Sequence, residues 1–349
     1  MKVNIKITAC IAGILIFTSF SCQSQKIDEI DEQTEPAEEN FTEPYEVPET
    51  LPDAFAFDEV WGYIMEGREY EFSKKFPITD VGYFVSAVNT YSELNSVPPR
   101  NKFFSKYDGR VHLVTSVDSR SQTHLLLDPE LPLRNRIIKQ LIDASETYDG
   151  LQIDWELVPA RDREHFISFL KEIKKRLKGK TLSVALPARV KKLKEDAYPY
   201  EEISMIVDKI IIMAYDEHWS TSAPGAIAST NWCKRIAEYA QTQIPEEKLV
   251  MGISFYGRTW TNDSVGGRAW YNSGINRILR ENNVDNIERD EYGVPHFTFE
   301  HTVKITGWYD DVESLKIRCQ MYSDIQVKQI GFWRIGQEDH NFWQHIRTK

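Results

Sequence analysis

The chain has 349 residues, of which 41% are hydrophobic and 12% aromatic, with nine Trp and a formal net charge of -11. That is enough apolar material for one large domain or two small ones, and the acidic balance argues against a nucleic-acid-binding surface. Most of the aromatic rings are core material, although aromatic faces also suit the C–H faces of sugars. The four cysteines show no CxxC-type spacing and so no metal-binding pattern.

In chain order, Lys2 and Lys6 precede an apolar run from Ile7 to Phe20 that ends in small residues. The run is shorter than the roughly 20 residues a spanning helix needs, so it reads as a secretory signal over residues 1–21. Ser19, Phe20 and Ser21 before Cys22 resemble a loose bacterial lipoprotein box. The expectation is a cell-envelope lipoprotein anchored to a membrane through Cys22, with ordinary secretion or an uncleaved anchor as the alternatives. Residues 22–54 are rich in Glu, Asp and Pro and read as a solvated, self-repelling tether. Cys233 and Cys319 lie far apart in the remainder and are read as two buried free thiols, with pairing as the alternative.

From about Phe55 onward apolar strand-like runs alternate with amphipathic segments. Eight strands are expected: Glu59–Met65, Asp80–Val88, Arg110–Val117, Gly150–Glu156, Leu182–Ala188, Lys209–Asp216, Leu249–Gly257 and Gln329–Gly336. Helical periodicity stands between several of them, as at Ile137, Ile138, Leu141 and Ile142, and at Phe166, Phe169, Leu170, Ile173 and Leu177. The helical signal is weak between Asn89 and Gly109. Acid at Asp162 and Glu164 marks a helix start, and Gly179 marks a stop. Eight interleaved strands over residues 55–349 predict a (β/α)8 TIM barrel, an α/β fold, with residues 259–307 inserted after the seventh strand.

Polar residues gather at the carboxyl ends of these strands, where this fold holds its functional groups: Asp154 and Glu156, Tyr215 and Asp216, Tyr256 and Arg258, Trp333 and Arg334. In "DGLQIDWE" (Asp149 to Glu156), strand alternation puts Gln152, Asp154 and Glu156 on one face and Leu151, Ile153 and Trp155 on the other. Crowded carboxyls in an apolar run are costly, a cost usually tolerated at sites that use it. A like-charged neighbour raises a carboxyl's pKa, which a proton donor to a poor leaving group requires.

That stretch resembles the DxxDxDxE signature of glycoside hydrolase family 18, the chitinase-like family. The resemblance extends to "MAYD" at Met213 to Asp216, "YGR" at Tyr256 to Arg258, and Trp333, and covers roughly Phe55 to the C-terminus. It implies cleavage of β-linked N-acetylhexosamine glycans, such as chitin oligosaccharides, peptidoglycan or N-glycan cores, with retention of configuration. Glu156 would be the acid, the sugar's own acetamide the nucleophile, Asp154 its orienting group and Tyr215 its hydrogen-bond donor. Trp333 would floor the sugar, with Gln152, Asp216, Arg258, Tyr63, Tyr256 and Met213 lining the site. No metal or organic cofactor is implied, since the acid and the substrate's amide supply the chemistry.

Two departures matter. Gln152 stands where the family usually has Asp, so a lowered rate or shifted pH profile is expected; an amide can still donate to and accept from Asp154. Relatives acting on spore-cortex peptidoglycan tend to carry an amide here, and "PG" after the sixth strand as in Ser222 to Gly225, which leans the substrate away from crystalline chitin. The third-strand pattern "SxGG" is replaced by Thr115 to Asp118, leaving Ser116 as a tentative counterpart. Trp219 and His218 are candidates for a sugar platform, His218 being more in keeping with a structural group. The rival reading is a lectin-like sugar-binding protein on the same fold, but such members commonly lose the acid or its partner, whereas Asp154, Glu156 and Tyr215 are all present here.

Overall fold

A computed structural model describes residues 43–89, 91–117, 119–262, 266–300 and 304–349. Cys22, the expected signal and most of the acidic segment lie outside the described residues.

Eight parallel strands close into a barrel, in the order expected from the alternating pattern. They are Glu59–Met65, Asp80–Ala87, Arg110–Ser116, Gly150–Asp154, Thr181–Pro187, Lys209–Met213, Leu249–Ser254 and Gln329–Trp333, the eighth pairing with both the first and the seventh. Each is buried on both faces, which is why parallel strands read as near-continuous apolar runs. Inside, Trp61, Tyr63, Phe84, Val114, Ile211 and Val250 form one cluster. Outside, Leu151, Ile153 and Trp155 join the larger layer between sheet and helices, where the Trp155 and Phe169 ring centroids lie 4.8 Å apart.

The helices follow from local chemistry. Pro132–Ala144 starts with Pro in its first turn and buries Ile137, Ile138 and Leu141. Arg163–Arg176 buries Phe166, Ile167, Phe169, Leu170 and Ile173 and ends on Lys174, Lys175 and Arg176, cations that suit a helix C-terminus. Burying each of these large apolar side chains contributes about 1.5–3 kcal/mol. Between Asn89 and Gly109 the only helix among the described residues is the four-residue Asn101–Phe104.

Every strand but the first ends earlier than the sequence suggests, the eighth at Trp333 rather than Gly336, and three of the early stops bear on the site. The fourth stops at Asp154, so Glu156 lies in the turn beyond it; the sixth stops at Met213, short of Tyr215 and Asp216. The seventh stops at Ser254, because the Phe255 N–H turns to the Trp333 carbonyl and Tyr256–Thr261 then pairs away from the barrel, antiparallel to Arg268–Tyr271. Tyr256–Thr261 opens a five-stranded antiparallel sheet with Lys304–Trp308, Pro295–Glu300 and Glu288–Arg289, plus the helix Asn272–Glu281. The chain returns through Asp310, which accepts from Ser254 and from the fully buried Arg318.

At the amino-terminal rim, Asp80 accepts from Arg110 at 2.6 and 2.7 Å and lies 2.8 Å from His112, whose ring stacks on Trp61. Glu59 takes Arg110 and Lys209, and Lys209 also reaches Gln329. Close by, Phe55–Phe57 pairs in parallel with the terminal strand Ile346–Thr348. Cys233 and Cys319 are buried free thiols, and burial pushes the Cys233 thiol up to about 12.

Candidate active site

The opposite rim is built from the carboxyl ends of the strands. Asp154, the last residue of the fourth strand, stands in register with Ser116 on the third and is buried. Glu156 follows two residues on, half-exposed. Trp333 ends the eighth strand half-buried, its ring 4.7 Å from Phe84 and 5.6 Å from Tyr63, and a cis peptide bond joins it to Arg334. Tyr63 is buried at the centre of this group.

Two glycines make room for the rings. A Cβ on Gly82 would lie 2.4 Å from the Tyr63 ring, and one on Gly252 would lie 2.9 Å from the Tyr215 ring. Only residues without a side chain let both tyrosines lie across the barrel interior.

One turn deeper, the Gln152 amide donates to Ser183 Oγ at 3.2 Å. The Tyr63 hydroxyl lies near the same amide, but neither it nor the amide oxygen makes a well-formed hydrogen bond among the described residues. Burial holds the Tyr63 phenol far above its ordinary value, with the Gln152 amide opposing it and the charges of Asp154 and Asp80 reinforcing it. Tyr63 therefore keeps its proton at any working pH.

On the far wall, Asp216 takes a left-handed backbone, φ 59°. Its carboxylate accepts from Arg258 at 3.0 Å and from the Tyr256 hydroxyl. Burial is the larger influence and raises the Asp216 pKa, against the pull of Arg258 and Tyr256. The Tyr215 and Tyr256 rings meet edge to face at 6.4 Å, while Met213, in register with Pro187, closes the wall from the sixth strand.

Several of the polar and aromatic residues singled out in the sequence make structural contacts. Asp149, the first acid of the motif, sits at the amino end of its strand, where it accepts from Arg100 and from the Val111 N–H. His218 lies 2.8 Å from the Ala226 carbonyl and packs on Gly225, so its ring is held in the loop. Trp219 is half-buried and donates to Thr221. Arg334 is buried between Glu71 and the Tyr271 hydroxyl, joining the loop after the first strand to the inserted sheet. Ser183, Phe84 and Tyr198 carry no motif that marks them in the sequence; only the barrel's closure brings them beside the motif residues.

This arrangement, a closed parallel barrel with an acid motif on the fourth strand and a tryptophan on the last, agrees with the sequence match: residues 121–338 match Glycosyl hydrolases family 18, and the chain belongs to that family. It is 29% identical over 220 residues to the putative sporulation-specific glycosylase YdhD of Bacillus subtilis (strain 168), covering 58% of this chain and 51% of that protein. It is 27% identical over 225 residues to the cortical fragment-lytic enzyme of Bacillus anthracis, covering 61% and 52%. The chain thus spans about half the length of these two curated relatives. The fold is shared with the crystal structure of the Bacillus cereus spore cortex-lytic enzyme SleL, with a TM-score of 0.76 and 23% identity over 85% of this chain and 76% of that one.

Proposed function

We propose that this protein is a glycoside hydrolase that cleaves β-linked N-acetylhexosamine glycans with retention of configuration. The observation that carries the reading is the pair Asp154 and Glu156: a buried carboxyl at a strand end, and a half-exposed one two residues on, in the mouth that holds Trp333. Glu156 donates a proton to the glycosidic oxygen, turning a poor leaving group into a good one. The sugar's acetamide oxygen attacks its own anomeric carbon as that bond breaks, a substrate-assisted exception to the two-carboxylate scheme. Asp154 orients the acetamide and balances the charge it gains, and Tyr215 donates to its oxygen. Glu156 then takes a proton from the water that opens the intermediate from the original face.

Trp333 supplies the apolar floor, backed by Tyr63 and Phe84. Gln152, Met213, Asp216, Tyr256 and Arg258 complete the lining. Peptidoglycan glycan strands are the favoured substrate, because two of the similar proteins are named for spore-cortex lysis and Gln152 replaces the acid usual in chitin-cleaving members. Location at the bacterial cell envelope through a lipid on Cys22 is part of the same proposal; radiolabelled fatty acid should enter the wild type and not Cys22→Ser.

The test is product release from peptidoglycan strands and N-acetylglucosamine oligomers, with the anomer read by NMR. Glu156→Gln is expected to lower kcat by about 10²–10⁴-fold, the range of general-acid catalysis, with glycan binding retained. The second reading is sugar binding without turnover on the same fold. Equal binding by both proteins with turnover by neither would establish it.

A further inference from the structure

The turn that carries Glu156, Trp155 to Val158, is bridged by a side chain from another loop. In a turn spanning Trp155 to Val158 the carbonyl of the first residue would ordinarily accept from the N–H of the fourth. Here the Tyr198 hydroxyl bridges the same two groups, donating to the Trp155 carbonyl at 2.7 Å and accepting from the Val158 N–H at 2.9 Å. Both contacts are buried, and Tyr198 comes from the loop after the fifth strand, 40 residues away in sequence.

The tyrosine is itself held at its ring and its backbone. Its ring meets Phe166 edge to face at 5.6 Å, and its N–H donates to Asp196, which pairs with Arg189 at the other end of the loop. Burial lifts its phenol well above the ordinary value, and the charges of Glu156 and Asp154 also bear on it. The hydroxyl thus keeps its proton across the working range and remains a fixed donor and acceptor.

We infer that Tyr198 is a positioning residue for Glu156: its hydroxyl, inserted between Trp155 and Val158, sets the turn that aims the Glu156 carboxyl. This rests on the proposal that Glu156 is the proton donor. Without the hydroxyl, the turn either closes directly or admits water, and each outcome moves Glu156 relative to Asp154. Small displacements of a proton donor cost rate rather than substrate binding.

Tyr198→Phe removes the hydroxyl and keeps the ring. The matched control is Tyr200→Phe, which removes a buried hydroxyl two residues on, at the start of the helix Tyr200–Ser204, that donates to the Pro187 carbonyl instead. The primary readout is the Glu156 carboxyl-carbon titration by NMR, its signal identified by Glu156→Gln. Tyr198→Phe should move that midpoint by about half a pH unit or more and lower kcat about tenfold at nearly constant KM; Tyr200→Phe should do neither. An unmoved midpoint in Tyr198→Phe, or an equal shift in both variants, overturns the inference. If the wild type turns over no N-acetylhexosamine glycan, the hydrolase proposal fails while the midpoint still decides the role of Tyr198. Should Tyr198→Phe not fold, 3-fluorotyrosine at this position keeps the ring and alters only the hydrogen-bond strength. The same midpoint must then move, and a constant one overturns the inference.

Discussion

The two rims of the barrel each bury an aspartate beside an arginine, and the outcomes are opposite. Asp80, at the amino-terminal rim, would be raised by burial, but His112 and Arg110 outweigh it and its carboxyl lies below the ordinary value. Asp216, at the carboxyl-terminal rim, has Arg258 and Tyr256, and burial still wins. The amino-terminal rim saturates its charges: Asp80, Arg110, Glu59, Lys209 and Gln329 are joined in one chain of contacts. Each rim also leaves buried polar atoms unmatched among the described residues: His112 Nδ1 at the amino-terminal one, and the Tyr63 hydroxyl and the Gln152 oxygen at the other. A buried polar group without a partner costs about 1–3 kcal/mol, a cost that makes sense where a ligand supplies the partner. At the carboxyl-terminal rim the unmatched atoms lie beside Asp154, a reserve of hydrogen-bonding capacity next to the candidate site.

The largest expected effect at the carboxyl-terminal rim is the loss of turnover in Glu156→Gln, with stability nearly unchanged. The opposite signature belongs to Asp80→Ala, which strands a fully buried His112 and part of Arg110. It should lower unfolding free energy by about 2–4 kcal/mol, measured in urea, while the folded fraction keeps its kcat. The sign with pH follows from the lowered carboxyl. The contribution of Asp80 is complete above the unfolded value of about 3.9 and is lost as pH falls through its folded value. The gap between wild type and Asp80→Ala should therefore be constant at neutral pH and narrow in acid. Asp216 acts in reverse: stability tied to it declines as pH rises from about 3.9 through its raised folded value.

Gln152→Asp tests the reserve directly. A second carboxyl beneath Asp154 should lower stability by about 1–3 kcal/mol and move the pH profile of kcat, whereas identical profiles would remove the Gln152 side chain from the account of the site. The smallest effect is expected from Ser183→Ala, which frees the Gln152 amide to turn over. A loss of about 1 kcal/mol on thermal or urea unfolding is expected, with a modest change in turnover.

The barrel was legible because strands buried on both faces read as apolar runs, and because the helices between them repeat at a different period. The strand ends were less legible. Glu156 and Asp216 follow their strands without a Gly or Pro to mark the stop, and Asp216 adopts a left-handed backbone that nothing in "MAYD" announces. The network around Asp80 was invisible for a different reason. Its members stand 30 residues apart at Asp80 and Arg110 and 120 apart at Lys209 and Gln329, and only the circular closure of the sheet makes them neighbours. Tyr198 was missed likewise: a tyrosine in a loop carries no period and no motif.

The pairing of Phe55–Phe57 with Ile346–Thr348 has a practical consequence. Lys349 donates its N–H to the Phe57 carbonyl and its side chain reaches Asp58, next to where the first barrel strand begins. A dye, bead or fusion joined after Lys349 would hang beneath the barrel and leave the cleft unobstructed. Immobilised through that end, the molecule would present its mouth outward to a polymer too large to diffuse.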